Sequence, residues 1–105
     1  MDELAVIWSE LAVNQRNEIF EFWNSHNKST TYSEKLNFKI QEKIEQICLF
    51  PQSGIRFNNS QIRMIHFENF SLIYQKIDTI IYIYSFWDNS QNPEKLLDSL
   101  KKYKK

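Results

Sequence analysis

The sequence predicts an α+β fold in which a helical hairpin packs on an antiparallel sheet, in the order β-α-α-β-β-β-α. Three observations carry that prediction. Two apolar stripes at helical spacing fill the first half and stop at Pro51. Three runs rich in β-branched and aromatic residues fill the second half, joined by two-residue punctuation. A short apolar run, Leu4–Trp8, precedes all of them and has the length of a strand.

After Leu4–Trp8, Ser9 offers a hydroxyl to the first orphan amides of a helix. From Ala12 through Arg16, Ile19, Phe20 and Trp23 the apolar spacing is helical, and the polar cluster Asn24-Ser25-His26-Asn27 is expected to fray it. A second helix is expected from Thr31-Tyr32-Ser33-Glu34, a capping-box pattern in which Thr31 and Glu34 satisfy each other's exposed amides. Leu36, Ile40, Ile44 and Ile47 then form its buried stripe. Strands are expected over Gln61–Phe67, Phe70–Ile77 and Ile80–Trp87, turning at Glu68-Asn69 and Asp78-Thr79 as an antiparallel meander. Strict alternation puts Phe70, Leu72, Tyr74, Tyr82, Tyr84 and Phe86 on one face, and Ile73, Ile77, Ile81, Ile83 and Trp87 on the other. Both faces are substantially apolar, so one is left incompletely covered. Asn92-Pro93-Glu94 reads as a cap, a first-turn proline and a dipole-matching acid, opening a helix with a Leu96/Leu97/Leu100 stripe.

Composition narrows the function classes. A chain of 105 residues suffices for one compact domain, residues 1–105, and 42% hydrophobic with 15% aromatic residues can fill its core. The lone Cys48 cannot form an internal disulfide, and no CxxC or histidine cluster calls for a metal or another cofactor. The start Met1-Asp2-Glu3-Leu4 is unlike a signal peptide, and no apolar stretch approaches the roughly 20 residues of a membrane helix, so the expected compartment is the cytoplasm. The total of 13 basic and 13 acidic residues hides an asymmetry. Residues 51–105 hold eight basic and five acidic side chains, but four of the eight are the tail lysines 101, 102, 104 and 105. A broad electrostatic footprint for nucleic acid is missing.

The order of elements, together with Trp8-Ser9-Glu10-Leu11-Ala12, Thr31-Tyr32, Phe50-Pro51-Gln52-Ser53-Gly54, Ile62-Arg63-Met64, Phe70-Ser71-Leu72-Ile73-Tyr74, Ile83–Asn89 and Gln91-Asn92-Pro93, resembles the RelE/ParE superfamily of toxin–antitoxin toxins. The resemblance implies a growth-inhibiting toxin bound by a cognate antitoxin. RelE-like members cleave mRNA on the ribosome with lysine and arginine side chains and a C-terminal tyrosine; ParE-like members poison DNA gyrase without an obvious catalytic centre. This sequence departs from the RelE pattern: Arg63 matches one basic position, but Ile65, Ser71 and Asn89 or Ser90 stand where others are expected, and Tyr103 lies too far along. Phosphoryl transfer relies on preplaced positive charge, and one arginine does not replace a cluster. The ParE-like reading is therefore preferred over a ribosome-dependent nuclease or a degenerate toxin fold that only binds its antitoxin.

On the nuclease alternative the catalytic candidates are Arg63, as a phosphate contact, and His66, as a general base with no carboxylate evident to orient it. The ordinary readings are a solvated strand arginine and a plain strand histidine. On the binding reading the candidates are Arg56, Trp87, Asp88, Leu96, Leu97 and Leu100. Loop solvation is the competing reading for Arg56, and core packing for Trp87.

Overall fold

The computed structural model describes residues 4–91 and Lys95. Strand β1 (Ala5–Trp8) leads into helices α1 (Glu10–Asn27) and α2 (Thr31–Leu49). Strands β2 (Ile55–Arg56), β3 (Arg63–Phe67), β4 (Phe70–Ile77) and β5 (Ile80–Asp88) follow. The expected C-terminal helix, with Leu96, Leu97 and Leu100, lies outside the described residues.

The α+β class and the meander β3-β4-β5 hold, but the sheet as a whole is mixed. Its order is β1-β5-β4-β3-β2, and β1 runs parallel to β5 with Ala5 opposite Ile80 and Trp8 opposite Ile83. That pairing joins the two ends of the described chain, so no local spacing reveals it. The two-residue strand β2, antiparallel to β3, was also absent from the sequence reading.

Ser9 caps α1 as expected, accepting from the Ala12 amide at 3.0 Å, and also donates to the Tyr84 carbonyl at 2.8 Å. Where β1 ends, α1 takes over the edge of β5: Gln15 Oε1 accepts from Phe86 N at 3.0 Å and from Ser85 Oγ at 2.8 Å. A side chain thus replaces the missing strand partner. The helix does not fray at Asn24. Ser33 Oγ donates to Asn24 Oδ1 at 2.6 Å, which ties α1 to α2 and occupies the amide oxygen that would otherwise compete with the helix. Termination comes at Lys28, in the left-handed region at φ 52°, whose N–H returns to Asn24 O. The expected capping box does not form. Ser29 Oγ accepts from the Thr31 amide at 3.2 Å, so Thr31 is already helical and Thr30 stands as the cap.

The stripe Leu36, Ile40, Ile44 and Ile47 is buried against Ile65, Phe67, Phe70, Leu72, Tyr74, Ile81, Ile83 and Phe86. Each such side chain contributes roughly 1.5–3 kcal/mol on burial. The presence of Ile81 and Ile83 there corrects the strict alternation of β5. Tyr74 faces Ile83 and Ile73 faces Ser85, so Tyr84 is an extra residue in a β-bulge. The bulge brings Ile81, Ile83 and Phe86 to the helix side, away from Tyr82 and Tyr84. The opposite face holds a smaller cluster, in which Phe57, Ile62, Met64 and Tyr84 pack on Ile73 and Trp87. The 57–62 turn supplies part of its cover, closed by Phe57 N to Ile62 O at 2.7 Å.

Candidate functional site

Arg63 and Arg56 are cross-strand partners on the helix side of the sheet, at the end where α2 stops. Pro51 ends α2, and the chain returns through Gln52-Ser53-Gly54 into β2. This loop is fastened from two sides. Tyr74 donates its hydroxyl to the Pro51 carbonyl at 2.8 Å and accepts from the Gly54 amide at 2.9 Å. Arg63 Nη1 donates to the Gly54 carbonyl at 2.8 Å and to the Gln52 carbonyl at 3.3 Å. Arg56 Nε donates to the Ser60 carbonyl at 3.2 Å. Both arginines therefore hold backbone, while their remaining N–H groups stay available, since a guanidinium carries five donors.

Beside this fastening lies a cleft of about 700 Å³, lined by Leu49, Phe50, Gln61, Arg63, Lys76 and the Pro51–Ser53 loop. Leu49 and Phe50 are 73% and 65% exposed. Among the described residues no carboxylate lines the cleft.

His66 lies on the other face. It is in register with Ser71, and its Nδ1 meets Ser71 Oγ. The Ser71 hydroxyl donates to Asn89 Oδ1 at 2.8 Å. With that proton directed to Asn89, the Ser71 oxygen is left to accept from His66 Nδ1. The sequence reading missed this orienting pair because Asn89 lies beyond a bulged strand. The structure does not bring Arg63 and His66 together: they sit on opposite faces of β3, three residues apart.

Trp87 is buried in the smaller cluster with Ile73. Asp88 Oδ1 accepts from Asn69 Nδ2 at 3.1 Å, from Ser90 N at 2.9 Å and from Ser90 Oγ at 2.7 Å, so it organises the turn after β5. Both also line a groove of about 770 Å³ between α1 and the end of β5, with Leu11, Phe22 and Trp23. Leu96, Leu97 and Leu100 lie outside the described residues.

The acidities of Tyr32, Lys39 and Cys48 are shifted. Burial pushes the Tyr32 phenol up, helped by the negative charge of Glu68 and Asp88. The hydrogen bond from Lys39 to Glu68, which ties α2 to the β3–β4 turn, raises the Lys39 ammonium. Burial raises the Cys48 thiol. Among the described residues no group of three or more His, Cys, Asp or Glu could hold a metal ion.

The sequence reading passed over Phe50, Leu49 and Lys76. A signal was present in the single glycine of the chain, Gly54, four residues after Phe50.

A family model described as the ParE toxin of the type II toxin–antitoxin system parDE matches residues 6–93. The chain is also similar to a solved structure, the chromosomal ParDE toxin–antitoxin system from P. aeruginosa. The TM-score is 0.68 with 15% identity, covering 80% of this chain and 94% of that one. At that identity the likeness is one of fold. No curated protein matches the sequence.

Proposed function

The chain belongs to the ParE toxin family of type II toxin–antitoxin systems, and from that premise we propose that it arrests growth by binding a large target such as DNA gyrase, without cleaving RNA. Residues 1–105 act as one toxin domain, neutralised by a cognate antitoxin in the cytoplasm, where gyrase and ribosomes work. Among the described residues no helix is long and apolar enough to cross a membrane.

The observation that carries the non-catalytic reading is the separation of Arg63 from His66. RNA cleavage at a 2′-hydroxyl needs a base and a preplaced cation on the same phosphate. Here the base candidate faces one side of the sheet, while Arg63 on the other side spends Nη1 on the Gln52 and Gly54 carbonyls. Binding of a large protein target asks for less: a few well-placed apolar and aromatic side chains supply most of the affinity. Exposed Phe22, Leu49, Phe50 and Ile55 supply such anchors.

Paired assays test the proposal. Purified toxin is expected to inhibit gyrase supercoiling and to leave ribosome-bound mRNA intact. Cleavage of translated mRNA, with supercoiling untouched, would return the nuclease reading to first place.

A further inference from the structure

We propose that the cleft between the end of α2 and the β3–β4 face receives an acidic peptide segment carrying bulky apolar anchors; this rests on the toxin reading above, in which the segment belongs to the antitoxin. Two features of the cleft select that chemistry together. Arg63 and Lys76 line it, with no carboxylate among the described lining residues. In a protein with 13 basic and 13 acidic residues, that is a local excess of positive charge. Lys76 is exposed and takes part in no ion pair with another described residue. Arg63 is aimed by its bonds to Gly54 and Gln52, so its remaining donors are held in place before any ligand arrives.

The second feature is the apolar lip. Leu49 and Phe50 project from the last turn of α2 at 73% and 65% exposure. Large apolar side chains left in water beside unpaired cations mark an interaction surface. A nucleic acid would use the cations and waste the lip, and the neutral whole offers it little long-range attraction. An acidic segment with apolar anchors uses both: its carboxylates meet Arg63 and Lys76, and its anchors cover Leu49 and Phe50. Arg56, opposite Arg63 on the outer strand β2, extends the positive path to the sheet edge.

The test uses the full chain and the antitoxin co-expressed from the neighbouring gene. Affinities are measured for the wild type, Lys76→Glu, Lys76→Arg, Phe50→Ser and a control, Phe38→Ser, whose ring is 66% exposed elsewhere on α2. Unfolding midpoints confirm that each variant is folded. Lys76→Glu and Phe50→Ser are expected to weaken binding by about tenfold each, while Lys76→Arg and Phe38→Ser stay near the wild type. Added salt should weaken the wild type more than Lys76→Glu. If the complex forms and neither cleft variant weakens it, the docking site lies elsewhere and the proposal fails while the toxin reading stands. If no antitoxin complex forms at all, both fail. Displacement of the antitoxin by an RNA oligonucleotide, lost in Lys76→Glu, would assign the cleft to nucleic acid and overturn the proposal, as would self-association of the free chain through Phe50.

Discussion

The hydroxyl of Tyr74 stands between the Gly54 amide nitrogen, 2.9 Å away, and the Pro51 carbonyl oxygen, 2.8 Å away. It accepts from one and donates to the other, in a core position with Tyr74 fully buried. The contact is close enough to dictate the residue at 54: a Cβ there would lie 2.7 Å from the Tyr74 oxygen and 2.8 Å from the Met64 carbonyl oxygen. One of those neighbours is backbone and the other a fully buried ring, so neither yields cheaply. Gly54→Ala is therefore expected to destabilise the protein by about 1–3 kcal/mol, and Tyr74→Phe by a similar amount through two lost hydrogen bonds. Denaturant unfolding measures both. Because the two residues share one contact, the double variant should lose less than the sum of the single losses. Additive losses would mean that the contact is not what makes each substitution costly.

Arg63 holds the same loop from the other side, so its removal should read first as a stability change. Arg63→Ala is expected to cost about 1–2 kcal/mol, the range for hydrogen bonds with a charged donor in a half-buried place. Toxicity at matched soluble expression should fall more on deletion of residues 93–105 than in Arg63→Ala. Loss of toxicity in folded Arg63→Ala, with the deletion still toxic, would reverse that ranking.

What could be read in the sequence was what short-range spacing records. The stripe Leu36/Ile40/Ile44/Ile47, the stop at Pro51 and the turns at Glu68-Asn69 and Asp78-Thr79 all depend on neighbours within a few residues. Glu68 and Asp78 even adopt positive φ, 53° and 55°, without the glycine that would have announced it. What escaped was set by distant partners. The parallel pairing of β1 joins Ala5 to Ile80, and the bulge at Tyr84 reverses the faces of β5 only because of its register against Ile73 and Tyr74. The candidate site divided in the same way. Arg63 was visible as a lone cation on a strand, but its duty to the Gln52 and Gly54 carbonyls was not, since an eleven-residue separation leaves no periodic trace. His66 lacked a carboxylate in its own neighbourhood, and its actual partner chain runs through Ser71 on β4 to Asn89 just past the end of β5.

Cys48 offers a probe of the α2 terminus. Burial raises its thiol, with Glu45 adding a smaller effect in the same direction. The protonated form is thus favoured in the folded state, and the stability this contributes is present below the unfolded thiol's pKa and lost as pH rises through the folded one. At mildly alkaline pH, where an unfolded cysteine is substantially thiolate, maleimide or iodoacetamide should modify Cys48 more slowly in native protein than in denaturant. Equal rates would show that the thiol is not shielded.

The exposed rings and aliphatic chains make a prediction about the free toxin. Phe22, Phe38, Leu49, Phe50 and Ile55 are each more than half exposed. The protein alone should enhance the fluorescence of a hydrophobic dye, and the antitoxin complex should do so less. A free protein that binds no dye and stays soluble at high concentration would contradict it.

Gln15 provides the last expectation, because one side-chain oxygen there replaces a strand. β1 stops at Trp8, opposite Ile83, and beyond that point the edge of β5 would expose its backbone toward α1. Gln15 Oε1 accepts from both Phe86 N and the hydroxyl of Ser85, a residue with no exposed surface. Gln15→Ala removes the acceptor and leaves two buried donors without a partner, at a cost of about 1–3 kcal/mol. Gln15→Glu keeps an acceptor in the same place and should recover part of the loss when its carboxylate is ionised, above the usual carboxylate range. The Phe86 amide gives a local readout that a general loss of packing would not single out. Its hydrogen exchange should accelerate in Gln15→Ala well beyond that of amides inside the β3–β4 ladder. If Phe86 stays as protected as in the wild type and the unfolding midpoint is unchanged, water or a neighbouring group satisfies the edge, and α1 is held to the sheet by its apolar contacts alone.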